Sequence, residues 1–133
     1  MDHLTTDQTE RVVAIAMDLA RAGDTAELTE FVGHGLPVDV TDAQSNTLLM
    51  LAAYHGHADT VRALLRLGAD PDLPNDRGQV AIAGALFKGA DDVVAVLVEA
   101  GADLAAGAPT AHEAAAMFGR AHLLREQPHN RQH

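Results

Sequence analysis

The 133-residue chain has no cysteine, no tryptophan, only four aromatic residues and a single lysine, Lys88. Each scarcity excludes something. Without cysteine there is no disulfide framework, no thiolate nucleophile and no Cys-ligated zinc. With aromatics at 3% and hydrophobic residues at 47%, the core must come from Ala, Val and Leu, which let helices approach closely. A net charge of −10 disfavours a phosphate-backbone partner, so no nucleic acid is expected. No apolar run approaches the roughly 20 residues that span a bilayer, so no membrane partner is expected either. Residues 1–7 lack the cationic start and apolar core of a secretory signal. The expectation is an acidic cytoplasmic monomer.

What the sequence does contain is clearest in residues 46–72, NTLLMLAAYHGHADTVRALLRLGADPD. An apolar helical pattern from Thr47 to His55 ends at Gly56, a residue free to take the left-handed conformation that closes a helix. A second pattern, from Ala58 to Leu67, sets Val61, Leu64 and Leu65 at the i, i+3, i+4 spacing of one face, with Arg62 and Arg66 off it. Gly68-Ala69-Asp70-Pro71-Asp72 then reads as a turn. The unit is too small to bury its own apolar surface, and it recurs. Adding 33 takes Gly56 to Gly89, Leu64 to Leu97 and Gly68 to Gly101; subtracting 33 takes Gly56 to Gly23 and Leu64 to Phe31. Two helices and a turn at that period are the mark of a stacked array.

The residues Thr47-Leu48-Leu49-Met50, Ala52-Ala53, Gly56-His57, Val61, Leu64-Leu65 and Gly68-Ala69-Asp70-Pro71 together resemble the ankyrin repeat. The resemblance runs, with decay, from about Asp7 to Leu124. It implies an all-α solenoid of helix-turn-helix units joined by short β-hairpin-like loops. The expected repeats are about 7–41, 42–74, 75–107 and 108–127, making one domain over 1–127 with a disordered polar tail over 128–133. The Arg- and Ala-rich, Lys-poor usage is of a bacterial, GC-rich kind.

Taken in order, Asp7-x-x-Glu10 looks like a capping box opening a helix whose apolar stripe is Val12, Val13, Ile15, Ala16, Leu19 and Ala20. Asp24 caps a second helix carrying Leu28, Phe31 and Val32. The polar Asp18 and Arg21 suit a terminal repeat, which needs a solvated face. Ser45 stands where the family usually has a loop-tip glycine, whereas Gly78 keeps it. In the third unit Val80-Ala81-Ile82-Ala83 replaces the family's Thr-Pro-Leu-His, which puts a loop-tying side-chain network in doubt, and Gly84 falls mid-helix. The fourth unit is shortened: Gly89 to Gly119 spans 30 residues, the loss falls in 104–109, and Gly119-Arg120 replaces the Gly-His corner.

Chemistry-bearing constellations are absent from the sequence. There is no GxSxG, no HExxH, no phosphate loop with lysine and no GxGxxG after a strand, so no enzyme and no cofactor are expected. His55 and His57 could suggest a metal pair, but side chains two apart on a helix diverge, and the resemblance gives His57 a structural role. Asp70, Asp72, Asp76 and Asp103 sit at turn positions where Asp caps the backbone, and no calcium loop surrounds them. Asp91 and Asp92 fit a helix N-terminus.

The four aromatics carry more. Phe31 aligns with the core positions Leu64 and Leu97, while Tyr54 and Phe87 lie 33 apart at the ends of successive inner helices, with Phe118 one position later in the fourth unit. The resemblance places that edge on the concave groove. Two readings stand: a recognition stripe, or rings packing on each other between repeats. Flanking positions on the groove are Gln44, Asn46 and His55 in the second repeat and Asp76, Arg77, Gln79 and Lys88 in the third. Arg77 and Lys88 either pair with an acidic or carboxylate-bearing ligand or are solvated surface charge. The function the resemblance implies is non-catalytic binding of a partner protein through the concave face and loop tips. The alternative is an acidic inhibitory or protective cap that masks a basic surface on an enzyme or toxin.

Overall fold

The computed structural model describes residues 5–124 and places eight helices in them. They are α1 (Thr6–Ala22), α2 (Thr25–Gly33), α3 (Leu48–Tyr54), α4 (Ala58–Arg66), α5 (Ala81–Lys88), α6 (Asp91–Glu99), α7 (Ala111–Met117) and α8 (Ala121–Leu124). Each odd helix packs on the next odd helix, and each even helix on the next even one. Each odd helix also packs on the even helix that follows it, which gives two layers of antiparallel pairs. The tail expected over 128–133 lies outside the described residues.

The pairs stay together because each buries what it cannot bury alone. Leu48, Leu49, Ala52, Ala53, Val61 and Leu64 of the second unit join Ile82, Leu86, Val93, Val94 and Leu97 of the third in one continuous apolar core. Corners between paired helices are closed by Gly23, Gly56, Gly89 and Gly119, all at positive φ. Gly23 has a second reason to be glycine: a methyl group there would come within 2.6 Å of Nδ1 of His57.

Side-chain caps mark the starts of four of the eight helices, α1, α2, α3 and α7. Thr47 accepts from the Met50 N–H at 3.1 Å, and Thr110 with Glu113 forms a reciprocal capping box on α7. Two details differ from the sequence reading. The box on α1 is Thr5 with Gln8, two residues upstream of the expected Asp7 and Glu10, because the Thr5 hydroxyl meets the Gln8 N–H while the Gln8 amide returns to Thr5. On the same helix Ile15 is 48% exposed and Met17 is buried, since the face that meets α3 is centred on Ala16 and Ala20. Phe31 is half-buried and packs against the core.

The loops are less sheet-like than the hairpins expected, with a single isolated bridge, Thr41 to Thr47, and no strand among the described residues. Two of them nonetheless share one geometry at the 33-residue spacing. Asp42 receives the N–H groups of Gln44 and Asn46, and Asn75 receives those of Arg77 and Gln79. Ser45 takes the left-handed conformation (φ 66°) that Gly78 takes in the next loop (φ 76°), so the tip keeps its shape despite the substitution. Val80 leaves α5 without a side-chain cap, and other bonds tie the loops. The Asp76 N–H donates to the Gln44 carbonyl at 3.0 Å, Asn75 Nδ2 to Asn46 Oδ1 at 2.9 Å, and the Ala108 N–H to the Gly78 carbonyl at 2.8 Å.

Candidate functional site

The ends of α3, α5 and α7 and the loop tips before them enclose an open groove of about 840 Å³. Its position follows from the repeat. Inner helices stacked at one register bring the same helical position of successive units into a row, so residues 33 apart become neighbours. Tyr54 and Phe87 are such a pair, with ring centroids 6.4 Å apart and planes 9° from parallel. Phe87 and Phe118 continue the row edge to face, at 5.6 Å and 78°. Both separations fall in the range preferred by aromatic pairs.

The rings pack on one another and remain accessible. Tyr54 is 39% and Phe87 59% exposed, and Met117, two residues before the corner glycine as Phe87 is in the previous unit, is 69% exposed. Gly84 sits beneath Tyr54: a methyl there would lie 3.6 Å from Tyr54 Cδ1, so its absence deepens the floor without being forced by sterics. Met50, Gly84, Pro109 and Met117 line the groove and were not among the groove residues expected from the sequence. Gly84 alone carried a signal, as a glycine inside a helical pattern.

Of the residues named in advance, Gln44, Asn46, Tyr54, His55, Asp76, Arg77, Gln79, Phe87 and Phe118 all line this groove. Lys88 stands at its edge with its ammonium 4.8 Å from the centre of the Tyr54 ring, a cation–π geometry. Asp76 is engaged by the Ser45 hydroxyl, which donates to it at 2.7 Å. His55 lies against Tyr54 and beside His57, with ring centroids 5.4 and 6.5 Å away respectively. Partial burial, and then the positive charges of His57, Arg21 and Lys88, hold its pKa below the ordinary 6.5.

The other titratable groups singled out in the sequence have structural partners. His57 donates from Nε2 to the Arg21 carbonyl at 2.7 Å, which joins the second corner to the first and fixes the proton on that nitrogen. Asp39 accepts from the Asp70 N–H at 3.0 Å and Asp72 from the Asp103 N–H at 2.8 Å, so each carboxylate fastens the next loop. Asp91 holds Arg120 at 2.7 Å, in the corner where Arg120 replaces the histidine. No helix among the described residues is long and apolar enough to cross a membrane.

Comparison with known proteins agrees with this architecture. A family model described as ankyrin repeats (3 copies) matches residues 16–107. The ankyrin repeat protein PA3287 of Pseudomonas aeruginosa is 46% identical over 55 residues, 41% of this chain and 32% of that one. Human ankyrin repeat domain-containing protein 29 is 47% identical over 55 residues, covering 41% of this chain and 18% of its own length. Human oxysterol-binding protein-related protein 1 is 39% identical over 74 residues, 54% of this chain but 8% of that protein. The chain thus spans about a third or less of each of these relatives. The repeat, the paired helices and the family match lead to one conclusion: this chain belongs to the ankyrin repeat family.

Proposed function

We propose that the chain is a non-catalytic interaction module that binds a partner protein in the groove across α3, α5 and α7. Ankyrin repeats are in general protein–protein interaction modules. One observation carries the reading for this surface. A chain with four aromatic residues sets three of them, Tyr54, Phe87 and Phe118, in one row on one groove, with two of them exposed. Aromatic side chains supply much of the energy at protein interfaces, and leaving them in water has no folding benefit. The loop tips that carry Gln44, Asp76 and Arg77 form the rim.

The test is affinity capture from lysate of the source cell, with wild type beside a Tyr54→Ala/Phe87→Ala variant. Neither ring is buried, so the variant is expected to keep its helical circular dichroism. A protein retained by the first and lost by the second supports the groove.

The acidic-cap reading rests on the net charge of −10 and on exposed carboxylates such as Asp59 and Asp91. It requires a partner that both proteins retain and that salt releases, because attraction between separated surface charges is screened over about 10 Å at 0.1 M.

A further inference from the structure

The groove's lining holds one carboxylate, Asp76, and one guanidinium, Arg77, and Lys88 at its edge adds a second cation, so the balance there is slightly positive on a molecule of net charge −10. Among the described residues three arginines are paired, all outside the groove: Arg21 with Asp18 at 2.7 Å, Arg62 with Asp59 at 3.0 Å, and Arg120 with Asp91 at 2.7 Å. Arg77 on the groove's rim and Lys88 at its edge have no carboxylate within 4.0 Å among those residues, as is also true of the exposed Arg11 and Arg66 outside the groove. Asp76, next to Arg77, is engaged by Ser45, and Asp91, three residues after Lys88, is paired with Arg120. After desolvation, which is the larger cause, Lys88 is among the charges that oppose protonation of His55 at the same edge. On a chain with nine basic and nineteen acidic residues, two cations and one carboxylate around the groove leave a local excess of one positive charge.

The apolar part of the groove lies between those charges. Lys88 projects over the Tyr54 ring, Phe87 and Met117 stand open beside it, and Gly84 leaves the floor without a side chain. Burying an aromatic or aliphatic side chain there stabilises a complex, and an anionic group beside it meets Arg77 and Lys88 without having to displace a resident carboxylate.

We infer that the groove takes an acidic polypeptide segment, with one large apolar side chain on Tyr54, Phe87 and Met117 and flanking Asp or Glu residues on Arg77 and Lys88. The inference rests on the groove being a protein-binding surface, and it adds the chemistry of the partner. Charge complementarity selects this segment: a basic segment meets Arg77 and Lys88 as like charges, and a purely apolar one leaves both without partners.

The test uses the full chain, immobilised, and a random peptide library displayed on phage. Selection runs in parallel on wild type, on Arg77→Glu/Lys88→Glu and on Tyr54→Ala/Phe87→Ala, all first shown to be folded by circular dichroism. Peptides from the wild type are expected to combine Asp or Glu with Leu, Phe or Trp. Synthetic versions without Trp or Tyr are expected to change the emission of Tyr54, the chain's only tyrosine in a chain without tryptophan. The charge-reversed variant should bind them at least tenfold more weakly and regain affinity when the peptide acids are replaced by lysine. Basic or charge-neutral peptides that still require Tyr54 and Phe87 would overturn the inference while leaving the groove as the binding surface. Peptides that bind the Tyr54→Ala/Phe87→Ala protein equally well would remove the groove reading itself. Failure of the library to yield any peptide, or an equal response of Tyr54 to micromolar glutarate alone, would also overturn the inference.

Discussion

Phe87 lies stacked on Tyr54 with the ring planes 9° from parallel, and 59% of it is still exposed. The two readings of the aromatic row are therefore compatible. Packing between repeats fixes the rings in place, and the faces left over form the wall of a groove. A row held rigid before binding loses little conformational freedom when a partner arrives.

The register of the outer helices has a direct stability test. Leu64 is fully buried between helices, so Leu64→Ala should destabilise the chain by about 2–5 kcal/mol in urea unfolding. Among the described residues Arg62 pairs only with the exposed Asp59, and Arg62→Ala should stay within about 0.5 kcal/mol. Equal and small effects would contradict the burial of α4 on its Val61–Leu64 face.

Two glycines should respond in opposite directions to alanine. Gly84 lies inside α5, and a methyl there meets only Tyr54 at 3.6 Å, an ordinary contact. Gly84→Ala should stabilise by about 0.5–1 kcal/mol through helix propensity, while making the groove floor shallower. Gly23 has φ 74° and the His57 ring 2.6 Å from the added carbon, so Gly23→Ala should cost about 1–3 kcal/mol or more. Thermal or urea unfolding of both variants checks the pair, and a loss at Gly84 would contradict its placement.

His57 and Gly23 should also be coupled. Loss of the bond from His57 Nε2 to the Arg21 carbonyl should cost about 0.5–1.5 kcal/mol in His57→Ala. With the ring gone, the methyl of Gly23→Ala has room, and only the backbone strain remains. The double variant should be more stable than the sum of the single losses requires, by a margin that unfolding curves resolve. Strict additivity would mean that the two corners do not touch.

His55 gives a pH prediction. With its folded pKa held below 6.5, the unfolded chain binds more protons as pH falls through the ordinary histidine range, so this group's contribution lowers stability toward acid and is absent above that range. Its ring signals in an NMR titration should move with a midpoint below the ordinary value. Lys88→Ala should shift that midpoint upward, because one of the opposing positive charges is removed. A midpoint at or above the ordinary value would contradict the packing around this ring, and an unmoved midpoint in Lys88→Ala would contradict the influence of Lys88 on it.

Much of this molecule was legible in the sequence because a repeat states its rule several times. The spacing from Gly23 through Gly56 to Gly89, and from Leu64 to Leu97, places the corners and the buried faces before any coordinate is known. The same spacing brought Tyr54 and Phe87 to one groove. What escaped lay where the rule weakens. The α1 cap was displaced because Thr5 and Gln8 offer the same chemistry as Asp7 and Glu10 two residues earlier. Ile15 left the expected stripe and Met17 entered the core because, among the described residues, α1 packs only on α2 and α3, with no inner helix stacked on its other side. Met117 was missed because the shortened fourth unit moves the aromatic to Phe118 and leaves methionine in the position that Phe87 holds. The stacked bonds among Gln44, Asp76, Gly78 and Ala108 are backbone contacts, which side-chain identity does not announce.

The central claim, that the concave groove is the working surface, is tested most directly by site-specific photocrosslinking in the source cell. A benzoylphenylalanine replaces Phe87 in one protein and Leu67, an exposed residue just after α4, in another. Crosslinking to one partner polypeptide from position 87 and not from 67 is the predicted result. Crosslinking from 67 with none from 87 would contradict the account and place the interface outside the groove.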